Sequence, residues 1–265
     1  MSKFVQRQKG VPKFSAEEYV DKQSDYCLLI PIINEGKRIH QELLRAKKAG
    51  VSQQVDIIIC DGGSTDESTA EQVMKTLGVN TLLVKDDVGK QGAQLRMGIF
   101  FALKRGYHGV VTIDGNNKDS IEDVPYFIEK LKEGYDFVQG SRYIKGGSAV
   151  NTPWLRHLSV KFIHAPMISL IAKKHYTDTT NAFRAYSRSY LEHPEVQPLR
   201  DIFQTYELLA YLCVRADQLG MKTIEIPVTR AYPKNEKTPT KISPLKGNSK
   251  LMRILLCNLL GKYNP

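Results

Sequence analysis

Two apolar runs in this chain each end in an acid followed at once by glycine, and that pairing constrains the fold more than any other feature. Residues 55–60 read VDIIIC and lead into Asp61-Gly62-Gly63-Ser64-Thr65-Asp66; residues 109–113 read GVVTI and lead into Asp114-Gly115-Asn116. Unbroken β-branched runs of this length are what strands buried on both faces look like. The glycines, serine, threonine and acids that follow supply turns and helix caps. Two carboxylates are therefore expected at the carboxyl ends of two parallel strands, the edge at which open α/β sheets bind ligands.

Around these runs a unit of strand, polar turn and amphipathic helix repeats. Strands are expected at 26–33, 55–60, 80–85, 109–113 and 135–139, with helices at 35–49, 67–77, 91–105 and 121–133. The alternation implies an α/β fold whose mostly parallel central sheet is flanked by helices. Beyond Gly140 a long helical pattern at 153–173 holds Pro166, which should end or kink it. A short strand is expected at 181–186, a helix at 203–219 closed by Gly220, and an edge strand at 221–228. The chain thus divides into an N-terminal arm (1–24) lying over the surface, an α/β domain (25–229), and an extension (230–265). That extension consists of a Pro- and Lys-rich basic loop and an amphipathic helix.

A net charge of +10 over 265 residues suits an acidic partner such as a nucleotide, a lipid phosphate or an anionic membrane, and serves solubility equally well. Nucleic acid is not expected, because no aromatic-basic motif, helix-turn-helix pattern or zinc spacing is present. Cys27, Cys60, Cys213 and Cys257 are scattered, as buried thiols of a reducing compartment are. The first residues lack the apolar core of a signal peptide, and no apolar run approaches the roughly 20 residues of a spanning helix. A cytoplasmic protein, soluble or peripheral at the inner face of the membrane, is the expectation.

Several residues at the expected ligand edge carry suitable chemistry. Pro31, Asn34 and Glu35 close the first strand, although Asn-Glu is also an ordinary helix start. Asp61 suits hydrogen bonds from a base or ribose, with Gly62 and Gly63 allowing close approach; alternatively it stabilises its own turn. Lys90 and Gly92, in a glycine-rich turn feeding a helix, can hold phosphate by amides, dipole and ammonium together. Asp114, Asn116 and Asp119 offer hard oxygens for Mg²⁺ or Mn²⁺ beside a diphosphate, or form an Asx-rich turn. Arg142 and Arg156 suit a bidentate grip on an acidic group.

Taken in order, Pro31-Ile32-Ile33-Asn34-Glu35, DGGSTD (61–66), GKQGAQLRMG (89–98), DGN (114–116) and GSRY (140–143) resemble the nucleotide-sugar glycosyltransferases of family two, the inverting GT-A-fold group. DTTNAFRA (178–185) and EIPV (225–228) resemble its dolichol- or polyprenyl-phosphate sugar synthase branch, which also has a basic loop near Lys241. The resemblance spans roughly residues 25–247. It implies a nucleoside-diphosphate sugar donor and a lipid-phosphate or glycan acceptor. Asp61 would contact the base or ribose. Asp114, Gly115 and Asn116 would lie at a Mg²⁺ or Mn²⁺ ion on the diphosphate, with Asp119 in reserve. Arg142, Arg156 and Lys241 would face phosphates. Two positions depart from the family pattern: Asn116 and Gly62 each stand where an acid is usual.

The implied reaction is one in-line displacement at the anomeric carbon. A lipid phosphate is already anionic and needs no base; a sugar hydroxyl, as in surface polysaccharide synthesis, needs a carboxylate. Glu207 is the candidate for that role, with Asp178 behind it; an exposed helical acid is the alternative. The basic run at 230–253 favours the phosphate acceptor and contact with an anionic membrane. A non-catalytic nucleotide-sugar-binding protein is a further alternative, because the Asp-Gly-Asn sequence has lost an acid.

Overall fold

Alternate residues of the strand at 56–61 enter different cores, which is why its sequence is apolar without alternation. Ile57 and Ile59 pack in one hydrophobic cluster and Ile58 and Cys60 in the other, all fully buried. The structure, a computed structural model, describes residues 4–5, 8–234 and 244–265.

In chain order the strands are β1 (Phe4–Val5), β2 (Phe14–Glu18), β3 (Tyr26–Ile32), β4 (Asp56–Asp61), β5 (Val79–Lys85), β6 (Gly109–Thr112), β7 (Phe137–Ser141), β8 (Ser148–Val150), β9 (Arg184–Ser187), β10 (Thr223–Pro227) and β11 (Thr229–Ala231). The helices are α1 (Lys37–Lys48), α2 (Glu71–Thr76), α3 (Gln91–Lys104), α4 (Val124–Lys132), α5 (Trp154–Ser159), α6 (Ala165–Ala172), α7 (Arg188–Glu192), α8 (Glu207–Gln218) and α9 (Pro244–Leu259).

One sheet runs β1-β2-β5-β4-β3-β6-β9-β7-β10, and β8 and β11 form a separate ribbon. Strands β3 to β6 are mutually parallel, as are β7 and β10, while β9 runs antiparallel between β6 and β7. One face is covered by α3, α6 and α8, the other by α1 and α4. The expected mostly parallel sheet flanked by helices is therefore present.

Three local differences have physical causes. Part of the segment expected as a surface arm is β2, which pairs antiparallel with β5 and buries Phe14 and Ala16. Its inward residues alternate with Ser15 and Glu17, and the charges around them mask a short period-two signal. The helix expected at 153–173 is broken by a π-turn at Val160–His164, after which α6 begins with Pro166 in its first turn. There the missing N–H costs little. Finally, residues 229–231, expected partly as loop, form β11 and pair with β8.

Candidate active site

At the end of β4, Asp61 is turned into its own loop. It is 1% exposed; Oδ2 accepts from the amides of Gly63 (3.0 Å) and Ser64 (2.9 Å), and Oδ1 from the Ser64 hydroxyl (2.5 Å). That loop is tied to the end of β3, where Pro31 is half-buried. Asn34, at φ +50°, accepts from the Thr65 amide through Oδ1 (2.8 Å) and donates its own amide to Ser64 Oγ (2.9 Å). Glu35 pairs with Arg38 at 2.8 Å.

Asp114, just beyond β6, has a different setting. Its side chain is 23% exposed; Oδ1 accepts from Gln91 Nε2 at 2.8 Å, and Oδ2 lies 3.1 Å from Arg230 Nη2. Gly115 is required here, since a Cβ would run into the methyl groups of Ile30 and Ile32 on β3. Gln91 opens α3, and one turn later buried Gln94 donates to the carbonyls of Ile32 (2.5 Å) and Cys60 (2.8 Å). One helix end thus reads three strand ends. Asp61 and Asp114 stand on either side of β3 at the same sheet edge, about 10 Å apart by two strand spacings.

Arg230 reaches Asp114 because β11 clamps the loop after it. The Ser120 amide donates to Thr229 O (2.9 Å) and the Ala231 amide to Lys118 O (2.8 Å). Arg230 also ion-pairs with Asp119, which is fully buried. Burial pushes the Asp119 carboxyl up to about 6, against the pull of Arg230. Behind this loop, fully buried Glu42 accepts from the Asn117 amide at 2.7 Å, and burial raises its carboxyl well above the usual range.

Arg230, Lys118 and Arg156 surround the ring of Tyr232, at 5.8, 5.1 and 5.8 Å from its centre. Arg156 Nη1 donates to the Tyr232 hydroxyl at 2.7 Å. Burial pushes this phenol up, but Arg230 and Arg156 outweigh it and hold it below the ordinary value. Burial and then Arg230 lower the Lys118 ammonium.

The remaining expected residues are placed as follows. Arg142 is buried and directed at Asp178, with Nε to Oδ2 at 2.6 Å and Nη2 to Oδ1 at 2.9 Å. Asp178 is fully buried in this pair. The amides of Thr177 and Asp178 are held in turn by Glu225, whose carboxyl burial raises. Glu207 is buried rather than an exposed helical acid, and Oε1 accepts from the Thr205 hydroxyl at 2.6 Å while Oε2 takes the Thr205 amide. Lys90 is exposed, and its amide donates to Gln204 O (2.9 Å). Gly92 lies so close to this loop that a Cβ would stand 2.6 Å from the carbonyl oxygens of Phe203 and Thr205. Lys241 lies outside the described residues. Sequence reasoning gave Gln91, Lys118 and Tyr232 no role of their own and took Arg230 only as part of the basic run at 230–253, not as a partner of Asp114.

The residues at the expected metal position match a divalent ion poorly. Asn116 Oδ1 and Asp119 Oδ1 are buried oxygens with no hydrogen-bond partner, which a hard cation favours. Yet both carboxylates already share one guanidinium, and Lys118 stands beside it. Two like unit charges 4 Å apart repel by about 4 kcal/mol at an effective dielectric near 20, and a divalent ion doubles that. Among the described residues no three His, Cys, Asp or Glu side chains are grouped as metal ligands.

Solved structures with this fold include glucosyl-3-phosphoglycerate synthase from Mycobacterium tuberculosis in complex with Mn²⁺, uridine diphosphate and phosphoglyceric acid. It has a TM-score of 0.62 and 17% identity, covering 90% of this chain and 78% of that one. The same enzyme with Mg²⁺ and uridine diphosphate gives a TM-score of 0.61 at 17% identity, covering 89% and 78%. The fold is GT-A-like. Among curated relatives, polyprenol monophosphomannose synthase of Mycolicibacterium smegmatis is 26% identical over 205 residues, 76% of each chain. Undecaprenyl-phosphate mannosyltransferase of Micrococcus luteus is 26% identical over 206 residues, 76% of this chain and 81% of that one. Residues 27–193 match the profile of glycosyl transferase family 2. With a match over more than half its length, the chain belongs to glycosyl transferase family 2, and within it is related to polyprenyl-phosphate sugar transferases.

Proposed function

We propose that this chain moves a sugar from a nucleoside-diphosphate sugar to a polyprenyl-phosphate-type lipid by a single in-line, inverting displacement. The observation that carries this reading is a cation-lined carboxylate edge on the same α5 segment as an exposed apolar surface. Arg156 of α5 belongs to the cluster around Tyr232. Trp154, Leu155, Leu158, Phe162, Ile163 and Leu170, on and between α5 and α6, all expose large apolar side chains. Such a run of exposed apolar side chains, with Lys161 among them, suits the headgroup boundary of a bilayer. On α9 Leu256 and Leu259 are exposed, as is Leu260 just beyond it, whereas Ile254 and Leu255 are buried. No helix of the described residues is long and apolar enough to cross a membrane, so contact would be peripheral.

In this reading Asp114 and Gln91 orient the donor while Arg156 meets its diphosphate. Asp61 supports the base or ribose through the shape of the loop it holds, and Arg142 positions the Asp178 segment. Because the residues fit a divalent ion poorly, no step is assigned to one. Glu207 is tied to Thr205, which favours an acceptor that needs no base over a sugar hydroxyl.

The test is incubation of the full chain with radiolabelled UDP-, GDP- and CDP-sugars and vesicles containing polyprenyl phosphate. Label extracted into organic solvent as an acid-labile, configuration-inverted glycolipid is the expected result. Label appearing only in a water-soluble glycan would replace the lipid acceptor with a hydroxyl. In flotation assays, a Trp154→Ser/Phe162→Ser double variant should lose about tenfold in vesicle binding.

A further inference from the structure

We infer that Arg96 is a positioning residue for transfer: by holding residues 203–205 against the start of α3, it sets the Gln91 side chain on Asp114. The inference rests on the nucleotide-sugar reading above and adds to it what fixes the group that orients Asp114. Arg96 lies on α3 and is 2% exposed. Its Nε donates to Phe203 O at 3.0 Å, and its Nη1 donates to Gly10 O. One guanidinium thus ties α3 to two segments distant in sequence, and its planar fork suits two carbonyls at once. Burial lowers this guanidinium, against the pull of Asp201, Asp87 and Glu207. A cation placed at such a cost is retained where directed hydrogen bonds offset it.

The 203–205 segment meets α3 on both sides of Gln91. Before it, the Lys90 amide donates to Gln204 O at 2.9 Å. After it, Gly92 lies against the carbonyls of Phe203 and Thr205, with no room for a Cβ. Gln91, fixed between these two contacts, reaches Asp114 Oδ1 with Nε2 at 2.8 Å. The segment is held from its own side as well. The fully buried Phe203 ring stacks on Tyr211 with 5.0 Å between centres, and Glu207 accepts from the Thr205 hydroxyl. Any shift of Phe203 O is therefore passed to Lys90 and Gly92, and with them to Gln91.

Gly10 draws the N-terminal segment into the same support. It adopts φ +86°, and a Cβ there would run into Leu199 O, four residues before Phe203. The residues expected as a surface arm thus brace the ligand edge from behind. Arg96 makes and breaks no bond to substrate; its contribution is geometric. A displacement of about 1 Å in an orienting group can cost about 10²-fold in rate.

A double-variant cycle on the full chain tests this, with transfer from UDP-, GDP- and CDP-sugars to polyprenyl phosphate in vesicles as the readout. Arg96→Lys keeps the charge but loses the fork, and should lower kcat/KM about tenfold or more. Adding Gln91→Ala should then cost no more than about threefold further, because the two residues act through one contact. A purely structural role for Arg96 predicts that the two losses multiply, to about a hundredfold, and that result would overturn the inference. Full activity of Arg96→Lys would do the same. Gly10→Ala loosens the second tie without touching Arg96, and guards against a folding defect in Arg96→Lys. It should lower kcat/KM about threefold, and this loss should disappear in the Gln91→Ala background. An undiminished loss in that background, or none in either, counts against the inference alone. Absence of transfer and of nucleotide binding in the wild type would remove the donor reading and this inference with it.

Discussion

Asp61 and Asp114 arise from the same local sequence, an apolar strand ending in Asp-Gly, and the structure gives them opposite settings. Asp61 spends its hydrogen-bonding capacity on the two residues that follow Gly62 and is sealed from solvent. Asp114 spends none on its own turn beyond a 3.5 Å contact with Asn116; it is met by Gln91 and by Arg230, more than a hundred residues away. A strand-end acid becomes a loop brace or a ligand-facing group according to what the rest of the chain brings opposite it.

That contrast is broken or sharpened by five variants. Asp114→Asn should cost on the order of 10³-fold in kcat/KM with a nearly unchanged melting temperature, because Arg230 keeps Asp119 as its partner. A full-activity variant would remove Asp114 from the site. Asp61→Asn should do the reverse, losing about 1–3 kcal/mol in urea unfolding as buried donors lose a charged acceptor, with a smaller effect on turnover.

The glutamines of α3 offer the same test at lower amplitude. Gln91→Ala should reduce kcat/KM about tenfold without loss of stability, since it removes one hydrogen bond to Asp114. Gln94→Ala should cost about 1–2 kcal/mol in stability instead, because the carbonyls of Ile32 and Cys60 lose a buried donor. Equal behaviour of the two variants would erase the distinction.

The smallest effect concerns Glu122, which pairs with Arg45 and steadies the loop after Asp114. Burial raises its carboxyl, but the Arg45 hydrogen bond outweighs this and lowers it below the usual value. A depressed acid stabilises above its unfolded value and loses that contribution as pH falls. Glu122→Gln should therefore cost about 0.5 kcal/mol at pH 7, given its partial exposure, and progressively less as pH falls from about 4.3 through the lowered folded value. A pH-independent difference between the two proteins would show that the charge is not what holds the loop.

The sheet was legible because β3, β4 and β6 are buried on both faces and leave uninterrupted apolar runs. The acid-bearing strand ends followed from the same runs, and the Gly-Lys-Gln-Gly turn lies beside them, where Gln91 meets Asp114. Arg230 was not legible as the partner of Asp114, since that contact depends on a two-stranded ribbon only three residues wide. Arg142 was expected to face phosphate, but a buried carboxylate 36 residues later occupies it. An arginine's sequence neighbourhood says little about which acid will claim it. β2 was hidden because Phe14 and Ala16 sit among Lys13, Glu17 and Glu18.

The clamp of β11 on the 118–120 loop also orders events in time. Strands β3, β4 and β6 can pair as soon as residue 112 has emerged, yet the guanidinium that neutralises their neighbouring acids is delivered by β11, more than a hundred residues later. A nascent chain that stops short of residue 229 would carry these paired strands with Asp114 and Asp119 uncompensated, so the electrostatic closure of the cleft waits until synthesis has passed Arg230.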